Sequence, residues 1–274
     1  MKRPLIVAHR GASAAAPENT LAAFRKGLEE GAEGVEFDVR LTRDGAPVVF
    51  HDSTLSRIAG IDRRIADLNY KELADIDVGS WFDRMKQGAT APPASRDLGR
   101  STFQDERIPT LAAGLELFEN ETGPVYVELK CGRPADIGPL VAAAGAVIQA
   151  SNVPSGRIIV KSFELSALPL VRRMLPDVAA AALFAPKLAR LFRPSGIVRT
   201  AARFEATHLS LHRSLVGRRI VDRAGQAGMP VTAWTVDNPA WLARRLDLGL
   251  FAVITNDPAG VALCRVGFGN KLPK

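Results

Sequence analysis

Two histidines, two carboxylates and one arginine occur early in the chain at positions where they could do chemistry together. His9 and Arg10 directly follow one short apolar run, and His51 follows another. Glu36 and Asp38 lie two residues apart within a third apolar run, so in a β-strand their side chains point to the same face. Imidazoles exchange protons near neutral pH, carboxylates bind cations, and an arginine binds anions. These residues therefore predict an acid–base pair beside a metal ion and a bound anion.

The turn that follows the two carboxylates predicts how one of them meets a histidine. Asp44-Gly45 is a strong hairpin signal that favours a two-residue loop with positive φ. With that loop Arg43 faces Ala46, and continuing the same register places Asp38 directly across from His51. The turn thus predicts a carboxylate and an imidazole side by side.

Short apolar segments alternate with helical patterns along the chain, which is typical of a parallel sheet covered by helices. Helices are predicted at 20–30, 135–151 and 214–228. Strands are predicted at 5–9, 34–39, 46–51, 125–130, 157–163, 178–184, 208–211, 231–236 and 252–255. Nine strands exceed by one the eight of a closed barrel, so we expect the 46–51 arm to be an antiparallel addition beside the second strand.

The fold prediction is α/β, a TIM-like (β/α)8 barrel that forms a single domain over 1–274, because such a barrel takes roughly 250 residues. Residues 53–107 break the alternation, are polar, and include the loop signal Ala91-Pro92-Pro93-Ala94. We expect a small insertion there, after the third strand segment and over the barrel mouth. The C-terminal strand ends form the active face of such barrels. Several residues of interest fall at these ends: His9, Arg10, Glu128, Lys130, Ser162, Phe163, Trp234 and Thr255.

The positive charge of the chain is concentrated in one stretch. The net charge is +7, from 36 Lys and Arg against 29 Asp and Glu. Residues 187–223 hold nine of the basic residues against Glu205 and Asp222 alone, so the remainder of the chain is balanced. Within that stretch, 187–203 mixes basic and apolar residues and could lie on an anionic membrane surface. The alternatives are a solvated charged face and a rim that attracts phosphate.

The N-terminal sequence predicts a cytoplasmic protein. Lys2-Arg3 and the apolar residues after them resemble the start of a signal peptide. However, the apolar stretch before His9 is only about four residues long, against roughly 7–15 in a signal peptide. No run reaches the roughly 20 apolar residues of a membrane-spanning helix.

Blocks of chemically suggestive residues recur along most of the chain. They are His9-Arg10-Gly11, Pro17-Glu18-Asn19-Thr20, 34–39, 42–52, 127–130, Ser162-Phe163, 234–236 and Ile254-Thr255. With these blocks the chain resembles the glycerophosphodiester phosphodiesterase family, and the spacing of the first blocks makes the resemblance specific. The resemblance implies a barrel with a small insertion, one divalent cation, and hydrolysis of glycerophosphodiesters to glycerol 3-phosphate and an alcohol.

Residue by residue, the resemblance implies that Glu36, Asp38 and Glu128 are metal ligands. It also implies that His9 and His51 are the acid–base pair. Three carboxylates offer hard oxygen ligands that suit Mg²⁺ or Ca²⁺. In the family's chemistry the hydroxyl next to the phosphorylated carbon attacks phosphorus, and water then opens the cyclic product. Two histidines suit this sequence, because the base of the first step becomes the acid of the second.

The resemblance also implies that Arg10 and Lys130 bind the phosphate and that Trp234 contacts the substrate. Taken alone, Lys130 could instead pair with Glu128, and Trp234 could be a core residue. One departure from the family pattern is Asn256 after the last strand, where the family usually has Asp. It would affect contacts on the glycerol side of the substrate.

The expected partner is a small-molecule phosphodiester, and no nucleic acid. One alternative function is a lysophospholipase D-like or phospholipase C-like enzyme that acts on membrane lipids. A second is a catalytically silent phosphodiester-binding protein, against which the intact histidines and carboxylates count.

Overall fold

The computed structural model describes residues 3–86, 102–186 and 194–267 and contains nine strands within those ranges. Apolar and β-branched residues dominate these segments, as expected for strands covered on both faces. The strands are β1 (Leu5–His9), β2 (Gly34–Leu41), β3 (Pro47–Val49), β4 (Val125–Leu129), β5 (Ile158–Ser162), β6 (Ala179–Phe184), β7 (His208–His212), β8 (Val231–Trp234) and β9 (Ala252–Thr255).

Eight of these strands close into a parallel barrel. β1 pairs in parallel with both β9 and β2, and the other strands follow in the order β8, β7, β6, β5, β4 around the ring. β3 pairs antiparallel with the C-terminal half of β2. The predicted (β/α)8 barrel, with the 46–51 arm as an antiparallel addition, is therefore confirmed.

Helices cover the outside of the barrel. The first begins after Thr20, whose hydroxyl accepts a hydrogen bond from the Ala23 amide and caps the helix. The helices are α1 (Leu21–Glu29), α2 (Ser56–Ala59), α3 (Tyr70–Leu73), α4 (Ser80–Lys86), α5 (Leu111–Glu116), α6 (Ile137–Ala150), α7 (Ala167–Met174), α8 (Pro194–Arg203), α9 (Arg218–Gln226), α10 (Pro239–Ala243) and α11 (Pro258–Gly267).

The register predicted for the hairpin between β2 and β3 is wrong by one residue. Val39 pairs with Val49, and the Phe50 amide donates to the Asp38 carbonyl over 2.9 Å, so Phe50 rather than His51 faces Asp38. The loop has three residues, because the Thr42 amide bonds the Ala46 carbonyl and Gly45 adopts φ +80°.

The interior of the barrel has an apolar lower layer and a charged upper layer. The lower layer consists of small and large apolar side chains: Val7, Tyr126, Ile159, Ala181, Ala252 and Ile254. Above it, towards the C-terminal strand ends, lie the buried side chains of Glu36, Asp38, Glu128 and Lys161. The larger apolar core lies between the outer face of the strands and the helices.

The segment predicted as an insertion contains α2, α3 and α4, which are all short. Its described part has a separate apolar cluster around Leu55, Ile65 and Leu73, packed on Val48 and Phe50 of the β3 arm. The 91–94 loop signal lies outside the described residues. The division into a single domain over 1–274 with an insertion at about 53–107 stays a prediction. Across the described ranges, every helix is too short or too polar to cross a bilayer.

Candidate active site

Three buried carboxylates converge inside the upper end of the barrel. Strand pairing places Asp38 of β2 beside Glu128 of β4, and Glu36 lies two residues earlier on the same face of β2. One carboxylate oxygen from each of the three lies within 4.8 Å of the others. We call Glu36, Asp38 and Glu128 the carboxylate triad. Three charges so close together in a buried place require cations to balance them.

Three cationic side chains contact the carboxylate triad. The Lys161 ammonium lies 2.8 Å from Glu36 Oε1 and 3.0 Å from Glu128 Oε2. The Lys130 ammonium contacts Glu128 and lies 3.2 Å from Asp38 Oδ1. Arg10 Nε lies 3.1 Å from Asp38 Oδ2 on the other side. Each triad carboxylate therefore has a cationic partner.

These ion pairs hold the groups in their charged forms. Burial alone would raise the pKa of Asp38, but the charges of Lys130 and Arg10 outweigh it and hold that pKa well below its usual range. Burial likewise opposes ionisation of Glu128, whose pKa is lowered by Lys161 and Lys130. Burial would lower the pKa of Lys161, but its two carboxylate partners raise it.

The chemistry of the carboxylate triad fits a hard divalent cation. All its ligand atoms are carboxylate oxygens, which Mg²⁺ and Ca²⁺ prefer, and the set offers no soft ligand that would favour zinc. The three side chains come from two adjacent strands rather than from loops, so the backbone fixes their separation. Glu36, Asp38 and Glu128 are thus suited to hold one such ion.

His9 lies beside the carboxylate triad in a defined orientation. Its Nδ1 is 2.6 Å from Asn256 Oδ1, and its Nε2 is 3.8 Å from Glu36 Oε2. The Asn256 amide donates through Nδ2 to Asp237, which turns Oδ1 towards His9. Nδ1 therefore donates to Asn256 and carries the proton of the neutral ring, which leaves Nε2 able to accept one.

His51 is oriented by a chain of charged groups. Its Nδ1 is 2.6 Å from Asp52 Oδ1, and the other oxygen of Asp52 accepts from Arg57 over 2.6 Å. Arg57 in turn binds both oxygens of Glu18, which also pairs with Arg10 at 2.8 Å. This network joins the two halves of the site, since it links the His51 arm to the loop after β1.

Arg40 holds the backbone beneath His51. Its guanidinium donates twice to the His51 carbonyl and once, over 3.4 Å, to the Lys130 carbonyl.

Burial lowers the pKa of His51, and the positive charges of Arg10 and Lys130 act in the same direction. The neutral imidazole is therefore favoured, and it can accept a proton.

The loop between β1 and α1 places Arg10 by unusual backbone angles. Arg10 and Asn19 have φ values of 58° and 59°, and Gly11 has φ +80°. The Asn19 side chain donates to Asp38 Oδ2 over 3.0 Å, so this loop also contacts the carboxylate triad. Non-glycine residues in this backbone region are uncommon and concentrate at functional sites.

An aromatic wall lies at the ends of β5, β7 and β8. Trp234 makes edge contacts with Phe163 at 5.6 Å and with His212 at 5.3 Å between ring centroids. The Lys130 ammonium lies 5.8 Å from the centre of the Phe163 ring. Trp234 is only half-buried at the C-terminal end of β8.

All predicted site residues lie at one end of the barrel. Comparison with known proteins identifies the family in which this arrangement occurs. The model of the glycerophosphoryl diester phosphodiesterase family matches residues 9–260. The chain belongs to this family. The predictions of the family and of a phosphodiesterase enzyme are therefore confirmed.

Individual phosphodiesterases of this family match over nearly the whole chain. The glycerophosphodiester phosphodiesterase of Caldanaerobacter subterraneus subsp. tengcongensis is 31% identical over 93% of this chain and 95% of its own length. An Oleispira antarctica phosphodiesterase, solved in complex with the product sn-glycerol-3-phosphate, is 28% identical, with a TM-score of 0.81 over 96% of this chain and 97% of that one. A glycerophosphodiester phosphodiesterase from Agrobacterium tumefaciens is 26% identical, with a TM-score of 0.69 over 95% and 99%.

Several residues of the site have roles that the sequence does not predict. Lys161 falls on a predicted strand, and a lysine inside an apolar strand signals a buried ion pair without naming its partners. Asn256 is expected to affect the glycerol side, whereas the structure places it against His9. The Asp52–Arg57–Glu18 network could not be read from the sequence, because its members are up to 39 residues apart.

The basic stretch is only partly described, since 187–193 lie outside the described residues. In the described part, Arg199 and Arg203 of α8 are exposed, while Ile197 and Ala201 of the same helix are buried. Some of the excess charge is neutralised from elsewhere in the chain, because Arg218 pairs with Asp247.

Proposed function

We propose that the protein hydrolyses small glycerophosphodiesters, the deacylated forms of phospholipids, to glycerol 3-phosphate and a free alcohol. The proposal rests on one observation, the grouping of acid–base and charged residues at the carboxylate triad. His9 and His51 are each held by a hydrogen-bonded partner, and Arg10 and Lys130 contact the triad. The product named for the Oleispira antarctica relative, sn-glycerol-3-phosphate, supports the same reaction here.

In the proposed reaction, His9 and His51 exchange protons with the substrate. The substrate hydroxyl next to the phosphorylated carbon attacks phosphorus, and a neutral imidazole takes its proton at Nε2. The other histidine enters this step as an imidazolium and gives its Nε2 proton to the leaving alcohol. Water then opens the cyclic phosphate with the two roles reversed. The Nδ1 contacts to Asn256 and Asp52 hold each ring by one nitrogen, which leaves Nε2 of each for these transfers.

We propose that Glu36, Asp38 and Glu128 hold one divalent cation, Mg²⁺ or Ca²⁺. When bound, such an ion supplies positive charge that lowers the energy of the developing negative charge on phosphate oxygens. Arg10 and Lys130 would contribute in the same way from the protein, because both lie at the triad and retain some exposure.

The aromatic wall is proposed to hold the uncharged part of the substrate. The Phe163 ring lies beside the Lys130 ammonium and contacts Trp234, so a glycerol carbon chain could pack on these rings while its phosphate meets the cation. Such a contact would orient the attacking hydroxyl, which gives an intramolecular reaction a large advantage over attack by bulk water.

A substrate panel tests the proposed function. Purified protein would be assayed with glycerophosphodiesters that carry different alcohols, and with lysophospholipids and phosphatidyl lipids, each with Mg²⁺ or Ca²⁺. We expect turnover of the water-soluble diesters with release of glycerol 3-phosphate. Turnover confined to the lipids would instead support the lipid-cleaving alternative, and no turnover of any diester would contradict the proposal.

A deoxy analogue tests the mechanism. An analogue that lacks the hydroxyl next to the phosphorylated carbon should bind as an inhibitor and should not be cleaved. If it were cleaved at the normal rate, water would be the direct nucleophile and the proposed roles of the histidines would be wrong.

Chelation and ligand substitution test the metal. Removal of divalent ions should abolish turnover, and Glu36→Gln or Glu128→Gln should weaken Ca²⁺ binding in calorimetry while the protein stays folded. Glu29→Gln, on the exposed face of α1, is the matched control and should bind Ca²⁺ normally. Full activity in excess chelator, with the absence of metal verified, would refute the metal role.

A further inference from the structure

Lys161 differs from the other cations of the site by its depth in the barrel. Its side chain is 2% exposed, whereas those of Arg10 and Lys130 are 17% and 15% exposed. It extends from β5 two residues after Ile159, which belongs to the apolar lower layer. Lys161 therefore lies level with its strand partner Glu128 inside the barrel and is closed off from solvent, unlike the other two cations.

The position of Lys161 prevents it from serving the substrate. Arg10 and Lys130 lie next to solvent, so each can turn towards an entering anion. Lys161 has an apolar layer behind it and its two carboxylate partners in front, and an unpaired ammonium there would be strongly unfavourable. Its contacts with Glu36 and Glu128 are therefore permanent features of the site.

The net charge of the site depends on these fixed contacts of Lys161. The three carboxylates carry three negative charges, and Lys161 neutralises one of them whether or not substrate is bound. When Arg10 and Lys130 turn towards a phosphate, two negative charges remain, which match one divalent cation.

We propose that Lys161 is a built-in counter-ion that sets the carboxylate triad to bind a single divalent cation, and to bind it less tightly than three carboxylates would alone. The inference rests on the metal site of the proposed function. Its consequence is selectivity by charge, because a site with two net negative charges gains less from a trivalent ion than a site with three.

The test compares ions of different charge on Lys161→Met. Removal of one positive charge should strengthen the binding of a cation, and the gain in binding free energy should be proportional to the charge of that cation. We therefore expect Ca²⁺ to bind about tenfold more tightly than to the unmodified protein, and Tb³⁺ about thirtyfold more tightly, measured by calorimetry and by Tb³⁺ luminescence. Lys26→Met, which removes a half-buried lysine of α1 far from the carboxylate triad in the fold, is the control and should change neither affinity.

Several results would overturn the inference. They are unchanged affinities in Lys161→Met, weaker binding, or an equal gain for both ions, since an equal gain would indicate a change of shape rather than of charge. If the Met variant folds only after Ca²⁺ is added, the unopposed carboxylates are the cause and the inference is supported. Lys161→Gln, which keeps a donor for Glu36 and Glu128, provides a second variant with the same ordering of gains.

The experiment separates this inference from the proposed function. If the unmodified protein binds neither Ca²⁺ nor Tb³⁺, the proposed metal site is wrong. If it binds both, and Glu36→Gln abolishes the binding, but Lys161→Met does not tighten it, then the metal site stands and only the role of Lys161 is refuted.

Discussion

Replacement of Asn256 by leucine should lower turnover while leaving substrate binding nearly unchanged. Asn256 Oδ1 is the only acceptor that the described residues offer to His9 Nδ1, at 2.6 Å, and it also accepts from the Ser13 hydroxyl at 2.9 Å. Leucine has a similar volume but no acceptor, so the His9 ring would lose both its tautomer preference and its fixed orientation.

The expected size of the effect follows from comparable partners of functional histidines. Loss of such a partner typically costs 10- to 100-fold in activity, which corresponds to about 1.4–2.7 kcal/mol of transition-state stabilisation. We expect this loss in kcat, because Asn256 is not proposed to contact the substrate. Asn256→Asp keeps an acceptor oxygen and should retain more activity than the leucine variant.

Steady-state kinetics with a coupled assay for glycerol 3-phosphate would measure this effect. Asn238→Ala is the matched control, because Asn238 lies close by in sequence but only caps α10 through the Ala240 amide. That variant should lose about 1 kcal/mol of stability and little activity. A normal kcat for Asn256→Leu would show that His9 does not need this partner, and the orientation argument would fail.

Further predictions concern stability and surface binding. Gly11→Ala should lower the free energy of unfolding by about 2–4 kcal/mol, since its φ is +80° and a Cβ would lie 2.4 Å from the Ala23 carbonyl carbon; Gly31→Ala, with φ +82° and no atom within 4 Å, should cost only about 1 kcal/mol in the same denaturant titration. Glu18→Gln should destabilise the protein by about 1–3 kcal/mol at neutral pH. Burial opposes ionisation of Glu18, but its arginine partners lower its pKa. The difference in stability between the variant and the unmodified protein should therefore shrink as pH falls below about 4.3. A difference in stability that stays constant down to acid pH would contradict the pairing. Co-sedimentation with anionic liposomes at low salt tests the membrane contact predicted for 187–203, and no binding there would end that hypothesis.

The barrel and the residues of its charged layer could largely be predicted from the sequence. The apolar runs are long and regular enough to locate the strands, and strand alternation alone puts Glu36 and Asp38 on one face. Glu128 falls at the end of a predicted strand, and the resemblance to the phosphodiesterase family assigned it to the same group. Closure of the barrel by β1 pairing with β9 brings His9 next to Asn256.

The details that were missed depend on local competition between turns and on long-range packing. Asp44-Gly45 predicts a two-residue loop, but the Thr42 hydroxyl bonds both Asp44 and the Ala46 amide. These bonds stabilise a three-residue loop with Gly45 in the left-handed region, which shifts every pair by one residue. His51 still reaches the site because Arg40 binds its carbonyl.

The partners of Lys161 could not be derived from the sequence for a different reason. Strand alternation puts Lys161 on the same face as Ile159, but not on the inside or the outside of the barrel. Only the pairing of β4 with β5, which places Lys161 next to Glu128, shows that the ammonium enters the carboxylate triad. That pairing joins strands separated by α6, so no local signal specifies it.

The most direct test of the central claim follows the reaction by phosphorus NMR in the unmodified protein and in three histidine variants. With a water-soluble glycerophosphodiester and Mg²⁺ or Ca²⁺, we expect conversion of the diester signal to that of glycerol 3-phosphate. His9→Ala and His51→Ala should each slow this conversion by orders of magnitude. His208→Ala should not, because it removes a histidine at the opposite end of the barrel, where its ring makes an edge contact with Phe251. Conversion at a normal rate in either of the first two variants would contradict the assignment of His9 and His51 as the acid–base pair.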